Sequence, residues 1–550
     1  MAAKKKQPRC PLCGKDVFRS GFTRDRGAAH EGKIRYTHRR AQKLPCTWHG
    51  VNAIGMEEDQ LTGIDLEVSR ANKAKIAEAR GKRTTFVITS AQNATPVHAA
   101  GWRSLQTYCA RKGATLLVIP YRYKNPTSVW SAKAKDHDWW AVEVQPYLIS
   151  ERVAVNKHLV LMADIMTQPT SERPLEGFET LTGAASAIIG HPKLELTTVP
   201  TPQARLPKIL TTTGSITKRN YIPSKAGKKG EHHHTFGACV VETDGHRFHL
   251  RQLNMKHDGS FCDLLEEYDG DEVRTYDRVP ALVMGDTHVE VVDPNVVKAT
   301  FTANDSIVKT LRPEALVWHD VHDGAAKNHH ERGRVFHDYV RMTSGKGKVE
   351  EELDRTFAFI DRHSPADTRN VIVPSNHHDF LAEWAENTDP KRDPANAVFW
   401  AQTFLAVAQS KETRWTPSGV QVQDAFAWWG QRKLACIDRT SFLRRGESYL
   451  IRGIEVGYHG DKGPGGLRGS RAAFRRIGVK SIIAHAHAPG IMDGCYQVGT
   501  SSRLDLTYAA GAPSAWLHTH CIVYPNGKRS LINIIDGAWR LPALDLPLAA

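Results

Sequence analysis

Short runs of apolar, often β-branched residues recur in the second half of the chain, and four of them end directly on polar side chains. A continuous apolar run of four or five residues is typical of a strand that is buried on both faces. We therefore expect four buried strands in this half, each leading into a polar loop. The runs are Pro280–Met284, Ala315–Trp318, Val371–Pro374 and Val479–Ile483, the last of which contains Lys480 and Ser481.

The residues that follow these runs are rich in histidine, aspartate and asparagine. In an open α/β sheet, the loops at the carboxyl ends of the strands meet in one crevice. Imidazole mixed with carboxylate and amide oxygen suits Mn, Fe, Zn or Ni better than Ca or Mg alone. The pattern therefore predicts one metal centre, built from the segments Gly285–His288, His319–Asp323, Ser375–Asp379 and Ala484–His487.

The first half of the chain alternates strand and helix patterns. Thr85–Thr89, a helical pattern over Val97–Lys112, and Ala114–Pro120 together predict a β-α-β unit. Further apolar segments continue this pattern through the first half. We expect an α/β domain of unknown role over residues 84–275, preceded by a basic helical linker over residues 51–83.

Length and composition set the wider frame. A chain of 550 residues is too long for one ordinary core, so we expect two or three domains. A hydrophobic content of 41% and a charged content of 24% are those of a globular protein. No apolar run approaches the roughly 18 residues of a membrane span, and the lysine-rich start lacks the apolar segment of a secretory signal. We therefore expect a cytoplasmic protein without membrane contact, whose nine cysteines stay reduced or bind metal.

Two short ligand pairs near the start predict a structural zinc site. A C-x-x-C pair is followed, after a basic insert, by a C-x-x-H pair. Residues 1–50 thereby resemble the zinc ribbons that precede nucleic-acid enzymes, although His38 competes for the fourth position. The alternative is two unrelated thiol pairs in a basic segment. The four expected ligands are Cys10, Cys13, Cys46 and His49.

The net charge of +15 favours a phosphate polyanion as partner. A glycine-rich segment leads into a cluster of four arginines, and Ser470 could cap a helix on which Arg471 and Arg475 lie one turn apart. Guanidinium groups there would lie near the metals and bind the phosphates of DNA. A solvated basic helix face is the alternative. The four residues are Arg468, Arg471, Arg475 and Arg476.

The order of the metal-ligand motifs resembles that of the calcineurin-like metallophosphoesterases. That order is D-x-H, G-D-x-x-D, G-N-H-[D/E], a single histidine and G-H-x-H, and the resemblance covers residues 276–540. It implies a catalytic domain in which a β-sandwich flanked by helices holds two divalent metals and hydrolyses phosphate esters. Mapped by motif, the metal ligands would be Asp286, His288, Asp320, Asn376, His459, His485 and His487.

The resemblance also assigns roles to individual residues. Asp320 would bridge the two metals, and His459, after the strand-like run Tyr449–Val456, supplies the single histidine. His377 matches the acid that protonates the leaving oxygen, a task that suits imidazoles because they titrate near neutral pH. Asp323 would orient it. The alternative is that His377 donates a hydrogen bond without transferring a proton.

Three positions depart from the pattern of that family. His319, Ser375 and Ala484 stand where the motifs have glycine. Because glycine permits a positive φ or a close backbone approach, we expect altered turn geometry at these positions, with the ligand set intact.

A second resemblance involves Ile88–His98, Pro120–Ser128 and Gly457–Gly460, followed by Gly469–Arg471. These segments are similar to pre-early proteins of T-odd-type coliphages, which transfer phage DNA and degrade host DNA. The resemblance implies a phage DNase acting on DNA in the host cytoplasm. Its expected cofactors are two divalent metals, Mn before Fe, Zn or Ni, and a structural Zn. Related nucleases often dimerise, so the resemblance is also compatible with an oligomer.

For the whole chain we expect an α/β fold, in which a zinc-ribbon-like module and a second α/β domain precede the metallophosphoesterase β-sandwich. Two other functional classes stay open. One is a phosphatase or phosphodiesterase for a substrate other than nucleic acid. The other is a DNA-binding regulator whose metal site is structural.

Overall fold

The protein has a mixed α/β structure, as expected, and its chain divides into two compact units. The first contains Met1–Leu196 and Lys208–Arg274, and the second contains Thr197–Pro207 and Thr275–Ala550. The computed structural model describes residues 64–123, 139–202, 206–327, 334–408, 424–506 and 511–541, with the strands at 18–22, 34–37, 50–51, 414–416 and 419–421.

Helices and strands are numbered in chain order. The helices are α1 Leu66–Ala79, α2 Ala99–Lys112, α3 Phe178–Leu181, α4 Lys225–His233, α5 Pro294–Val297, α6 Ile307–Leu311, α7 Val335–Thr343, α8 Val349–His363, α9 Asn376–Asn387, α10 Ala397–Ala408, α11 Ala425–Lys433 and α12 Arg471–Phe474. The strands are β1 Phe18–Phe22, β2 Ile34–Thr37, β3 Gly50–Val51, β4 Thr84–Gln92, β5 Thr115–Tyr121, β6 Arg152–Asn156, β7 Leu159–Met162, β8 Ser186–Ile189, β9 Leu196–Val199, β10 Lys208–Thr212, β11 Gly237–Thr243, β12 Phe248–Asn254, β13 Phe261–Asp263, β14 Glu266–Asp269, β15 Glu272–Thr275, β16 Ala281–Val283, β17 Ala315–Trp318, β18 Arg369–Ile372, β19 Arg414–Thr416, β20 Gly419–Gln421, β21 Thr440–Phe442, β22 Leu450–Ile451, β23 Ile454–Glu455, β24 Ser481–Ile483, β25 Gly490–Met492, β26 Cys495–Gln497, β27 Thr519–Val523 and β28 Arg529–Asn533.

The first unit contains the predicted β-α-β unit. Strands β4 and β5 are parallel neighbours in a sheet of order β12-β11-β4-β5, and α2 connects them. The helix starts at Ala99, two residues later than predicted, because the His98 side chain caps it by accepting a hydrogen bond from the Gly101 amide at 3.0 Å. It ends at Gly113, whose φ of 59° is left-handed. Trp102 and Leu105 on its inner face are buried in the core.

In the first unit, strands β10, β8, β7 and β6 are hydrogen-bonded neighbours in that order, and β13 to β15 form a small separate sheet. The core of this unit also holds a buried ionic cluster. Arg251 donates to Asp263 at 2.8 Å and to Glu242 at 2.7 Å, and Tyr108 donates to Asp263 at 2.8 Å. Since every charged member has a partner, we interpret this cluster as structural. Among the described residues, this unit contains no group of three potential metal ligands.

The six-stranded sheet of the second unit has the order β21-β18-β17-β16-β27-β28. Strands β16, β17, β18 and β21 are parallel, whereas β27 and β28 form an antiparallel hairpin beside β16. The predicted runs at Ala315–Trp318 and Val371–Pro374 correspond to β17 and β18. The parallel strands direct their carboxyl ends, and the loops that follow them, to one edge of the sheet.

The other large sheet of the second unit contains β22, β23, β24, β26, β25 and β9, in that order. Strand β23 is parallel to β24, which is parallel to β26. The strand-like run Tyr449–Val456 is two short strands, not one. Arg452 and Gly453 have φ of 51° and 74°, so the chain reverses between β22 and β23.

Several expectations concern parts of the chain away from these sheets. Within the described ranges, no helix is long and apolar enough to span a membrane. The described cysteines are buried thiols, which agrees with the expectation that they stay reduced. The expected zinc ligands Cys10, Cys13, Cys46 and His49, and the competing His38, lie outside the described residues. The buried thiols are Cys109, Cys239, Cys262, Cys436, Cys495 and Cys521.

Candidate metal centre

Loops that follow five strands of the second unit bring the predicted ligands together. Asp286, Asp320 and Asn376 follow β16, β17 and β18 in one sheet. His459 follows β23, and the pair His485–His487 follows β24, in the other sheet. The parallel pairing of β16 and β17 continues past the strands, because the His288 amide donates to the Asp320 carbonyl at 2.8 Å.

Carboxylate and imidazole atoms form three overlapping groups in these loops. Within each group the ligand atoms lie within 4.8 Å of one another, the spacing at which one ion can contact all three. His288 belongs to two groups, so the groups form one continuous cluster. They are Asp286 with His288 and His487, His288 with Asp323 and His377, and Asp320 with His459 and His485.

The first group is fully buried. Nε2 of His487 lies 3.1 Å from Oδ2 of Asp286 and 3.1 Å from Nε2 of His288. Oδ2 of Asp320 lies 3.9 Å from Nε2 of His288. Three ring and carboxylate atoms thus point at one small volume, the arrangement that a cation with mixed nitrogen and oxygen ligands requires.

The group of Asp320, His459 and His485 centres on the Asp320 carboxylate. Nε2 of His459 lies 3.0 Å from its Oδ2, and Nδ1 of His459 lies 3.9 Å from Oδ1 of Asp286. The His485 ring stands beside the His459 ring, with centroids 5.2 Å apart. Asp320 therefore lies between His288 of the first group and His459 of its own group, the position that a bridging carboxylate needs.

His377 and Asp323 are adjacent, but their contact differs from the expected one. Nδ1 of His377 donates to the backbone carbonyl of Asp323 at 2.7 Å, and the carboxylate lies 4.0 Å away. That carboxylate instead lies 3.1 Å from Nδ1 of His288. Asp323 therefore contacts His377 through its backbone carbonyl, and not through the carboxylate that the motif implies. The His377 ring also packs edge-on against His288, with centroids 4.6 Å apart.

The buried polar atoms of the cluster fit a divalent cation. Within the described part of the chain, Oδ1 of Asp286, Oδ1 of Asp320, Oδ1 of Asn376 and Nδ1 of His487 have no hydrogen-bond partner. A buried polar group without a partner costs about 1–3 kcal/mol, and more when it is charged. Cations would satisfy these atoms together, and the donor set suits Mn, Fe, Zn or Ni.

The electrostatics of the cluster also favour positive charge. Burial raises the pKa of the Asp320 carboxyl, but the charges of His459 and His377 outweigh it, so the pKa lies well below its usual range. Burial lowers the pKa of His459, but the Asp320 carboxylate raises it further, to about 9. Both shifts arise from pairing a buried carboxylate with a cation.

Four of the expected ligands have a strained backbone. The φ angles of His288, Asp320, His485 and His487 are 45°, 40°, 74° and 57°. Residues other than glycine rarely adopt these values, and each costs about 1–3 kcal/mol. Strain of this kind is concentrated at functional sites, where the surrounding structure holds it in place.

The φ angles also show how the backbone accommodates the three residues that replace glycine in the motifs. His319 and Ala484 are not among the described residues with positive φ, and Ser375 has a φ of −135° and caps α9. The left-handed residue is the following one, at Asp320 and His485. The glycine that is retained, Gly285, is needed for space, since a Cβ there would lie 2.8 Å from the Thr519 carbonyl oxygen.

Arg445 joins two parts of the site and was not predicted. Its guanidinium contacts both carboxylate oxygens of Asp461 at 2.9 and 3.0 Å and one of Asp379 at 2.7 Å. Asp379 lies in the first turn of α9, and Asp461 lies two residues after His459. Arg445 therefore connects the helix that carries Asn376 to the loop that carries His459. Its partners are 66 and 16 residues away, so no local pattern could have indicated this role.

Glu352 of α8 supports the loop that follows Asp323. Its carboxylate accepts hydrogen bonds from the amides of Ala325 and Ala326 at 2.7 and 2.6 Å. Burial raises the pKa of this carboxyl to about 7, although the two amide hydrogen bonds lower it. This residue was not predicted either, because a glutamate in a helix usually faces solvent.

A groove of about 500 Å³ opens beside His485 and is lined by Arg468, Arg471 and Met492. The expected arginine helix is only one turn, α12, which begins after the Ser470 cap. Arg475 at its C-terminal cap donates to Asp493 at 2.9 Å. Arg475 keeps helical dihedrals and lies one turn after Arg471, as expected, but it does not line the groove. That the two guanidinium groups form one phosphate-binding face stays a prediction.

Arg468 and Arg476 are exposed, whereas Arg471 is half-buried and donates to the Ala488 carbonyl at 3.2 Å. Of the four arginines, Arg468 and Arg471 thus line the groove that also contains His485.

Comparison with known proteins finds one relative of high coverage. The chain is 34% identical to "Protein A1" of Escherichia phage T5 over 474 residues, which is 83% of each chain. No protein-family model matches the sequence. Among solved structures, Vps29 of Chaetomium thermophilum covers 35% of this chain and 98% of its own, at 7% identity and a TM-score of 0.21. The same protein in complex with a cyclic peptide covers 34% of this chain and 98% of its own, at 10% identity and a TM-score of 0.19. TM-scores this low do not support a conclusion about the fold.

We predict that Mn²⁺ stabilises the protein against unfolding and that Asp320→Asn removes the effect. At a free concentration one hundred times the dissociation constant, one bound ion adds about 2.7 kcal/mol. Because the ligands bind in deprotonated form and the pKa of His459 is raised to about 9, the gain should be smaller at about pH 7 than at about pH 9.

Thermal unfolding with and without Mn²⁺ measures this gain. The control is Asp277→Asn, since the Asp277 side chain is 98% exposed and lies outside the cluster. If Asp320→Asn is stabilised as much as the parent protein, Asp320 is not a metal ligand.

Proposed function

Because this chain belongs to the family of Protein A1 of Escherichia phage T5, we propose that it is a phage-encoded, metal-dependent phosphodiesterase that hydrolyses DNA. The observation that carries the proposal is the cluster of buried imidazoles and carboxylates at the ends of five strands. We also propose that residues 276–540 are a calcineurin-like metallophosphoesterase domain, on the order of the ligand motifs. The role of residues 84–275 is left open.

Two metal ions would divide the ligands between them. Asp286, His288 and His487 would hold the first, Asn376, His459 and His485 the second, and Asp320 would contact both. When bound, such ions polarise a phosphoryl group and lower the pKa of a water molecule that attacks it. The protein supplies a preformed set of ligands, whose burial excludes bulk water and strengthens each electrostatic contact.

His377 is suited to protonate the leaving oxygen. Its Nδ1 hydrogen bond to the Asp323 carbonyl fixes the ring, so the proton available for transfer is the one on Nε2 of the imidazolium. The side chain is 20% exposed, in contrast to the fully buried His288 against which it packs. A substrate can therefore reach it from the side on which solvent enters.

Charge supports DNA as the substrate. The net charge of +15 favours a polyanion, and the groove beside His485 presents Arg468 and Arg471 next to the metal ligands. Guanidinium groups bind phosphate in a bidentate manner. We further propose that residues 1–50 are a structural zinc module that adds DNA contacts, and that the biological substrate is host DNA.

The proposal is tested by incubating the purified protein with Mn²⁺ and labelled linear, circular or single-stranded DNA. We expect cleavage of at least one of these and none by Asp320→Asn, because removing one charge from the shared carboxylate leaves two cations unscreened. Asp277→Asn should retain full activity. Hydrolysis of small phosphate esters without any DNA cleavage would favour a phosphodiesterase for another substrate. DNA binding without hydrolysis would favour a regulator.

The role of His377 gives a second prediction. His377→Ala should lose about 10²- to 10⁴-fold in rate on DNA, whose leaving alkoxide needs a proton. A nitrophenyl phosphodiester should lose much less, since nitrophenolate leaves without one. Mn²⁺ stoichiometry should stay unchanged. Equal losses on both substrates would show that the ring acts by position and does not transfer a proton.

The groove gives a third prediction. Arg468→Ala and Arg471→Ala should weaken DNA binding, and the slope of log K against log salt should fall by about 0.9 for each duplex phosphate that the variant no longer neutralises. Hydrolysis of a small diester should change little. Arg392→Ala is the matched control, because that side chain is 89% exposed and lies outside the groove. Unchanged DNA affinity and salt slope in both groove variants would rule out a nucleic-acid contact there.

A further inference from the structure

We infer that His319 is a positioning residue that determines which nitrogen of His459 faces the metal. The inference rests on the proposed metal centre. His319 directly precedes Asp320 and is completely buried. Its Nδ1 lies 3.4 Å from Nδ1 of His459, and the two rings are inclined by 31° with centroids 5.5 Å apart. The metallophosphoesterase motif has glycine at this position, so the resemblance gives this side chain no role.

The chemistry follows from the two ring nitrogens that face each other. Two imidazole nitrogens at hydrogen-bond distance share one proton, which one ring donates and the other accepts. The second nitrogen of His459, Nε2, faces Asp320 at 3.0 Å. For Nε2 to offer its lone pair to a metal beside Asp320, the proton of His459 must lie on Nδ1. The Nδ1 of His319 is then the acceptor of that proton's hydrogen bond.

The other candidate acceptor is too distant. Oδ1 of Asp286 lies 3.9 Å from Nδ1 of His459, beyond hydrogen-bond distance. Metal-binding histidines usually donate their second ring N–H to a carboxylate, a carbonyl or water, which fixes the tautomer and the ring orientation. For His459, the Nδ1 of His319 takes the place of that carboxylate, carbonyl or water as the acceptor.

The backbone makes this substitution for glycine tolerable. His319 is not among the described residues with positive φ, so a side chain at this position adds no backbone strain. Its carbonyl accepts a hydrogen bond from the Thr287 amide at 3.0 Å, which connects it to the loop of Asp286 and His288. The imidazole is therefore held in place from its own main chain as well as by its burial.

The test compares two substitutions of similar size. His319→Leu fills the space but cannot accept a hydrogen bond, whereas His319→Gln offers an amide oxygen. We expect His319→Leu to weaken Mn²⁺ binding at one of two sites by about 10- to 100-fold, measured by calorimetry or by electron paramagnetic resonance without substrate. His319→Gln should recover most of that affinity. His363→Leu is the control, since it removes an imidazole of the same unit that packs on Phe301 and Phe359, away from the ligands.

Each outcome is decisive. Equal loss in both variants would overturn the inference, because the ring would then act by its shape. Unchanged Mn²⁺ affinity in His319→Leu would overturn it as well. Thermal unfolding in EDTA identifies a variant that simply fails to fold, and His319→Asn then provides a smaller acceptor for the same comparison with leucine. If the parent protein itself binds no Mn²⁺, the proposed metal centre fails, which is a different result.

Discussion

The architecture of the second unit depends on burying two carboxylates, Asp286 and Asp320, within reach of several imidazoles. Removing a charge from water costs several kcal/mol unless an opposite charge compensates it. At Asp320 the compensation is local, because Nε2 of His459 lies 3.0 Å from its carboxylate and the pKa of His459 is raised to about 9. Divalent cations would serve the same purpose more strongly. The strands of both sheets must therefore end near one point.

This convergence strains the backbone of the loops, and hydrogen bonds hold it in place. Asp320 and His288 both have positive φ, and the amide of one residue bonds to the carbonyl of the other. Arg445 adds an ionic connection between Asp379 and Asp461, so the α9 helix and the His459 loop keep a fixed separation. A ligand set assembled before any ion binds is what a rigid catalytic centre requires.

The relationship to the phage protein concerns more than the metal centre. Its 474 aligned residues exceed the length of either unit, so both units are shared with that relative. The first unit has a hydrophobic core that also contains the buried Arg251, which contacts the carboxylates of Asp263 and Glu242. Its described residues offer no metal cluster of their own. Among the described residues, the candidate metal ligands lie in the second unit, where the groove lined by Arg468 and Arg471 adjoins His485.

The sequence alone predicted several of the elements and most of the residues that meet in the candidate metal centre. Apolar runs predicted β17 and the β-α-β unit, because strand and helix periodicity is a property of neighbouring residues. The strand-end loops predicted that Asp286 and Asp320 would converge, since parallel strands direct their ends to one edge. His459 was placed with them by the family resemblance. Only the tertiary structure decided which atoms meet.

It placed His377 on the carbonyl of Asp323, Arg475 on Asp493, and His319 against His459. It also placed left-handed backbone on the ligands and not on the residues before them. Each of these contacts depends on the packing of separate segments, or on how a helix ends in that packing. A pattern of neighbouring residues carries no information about either.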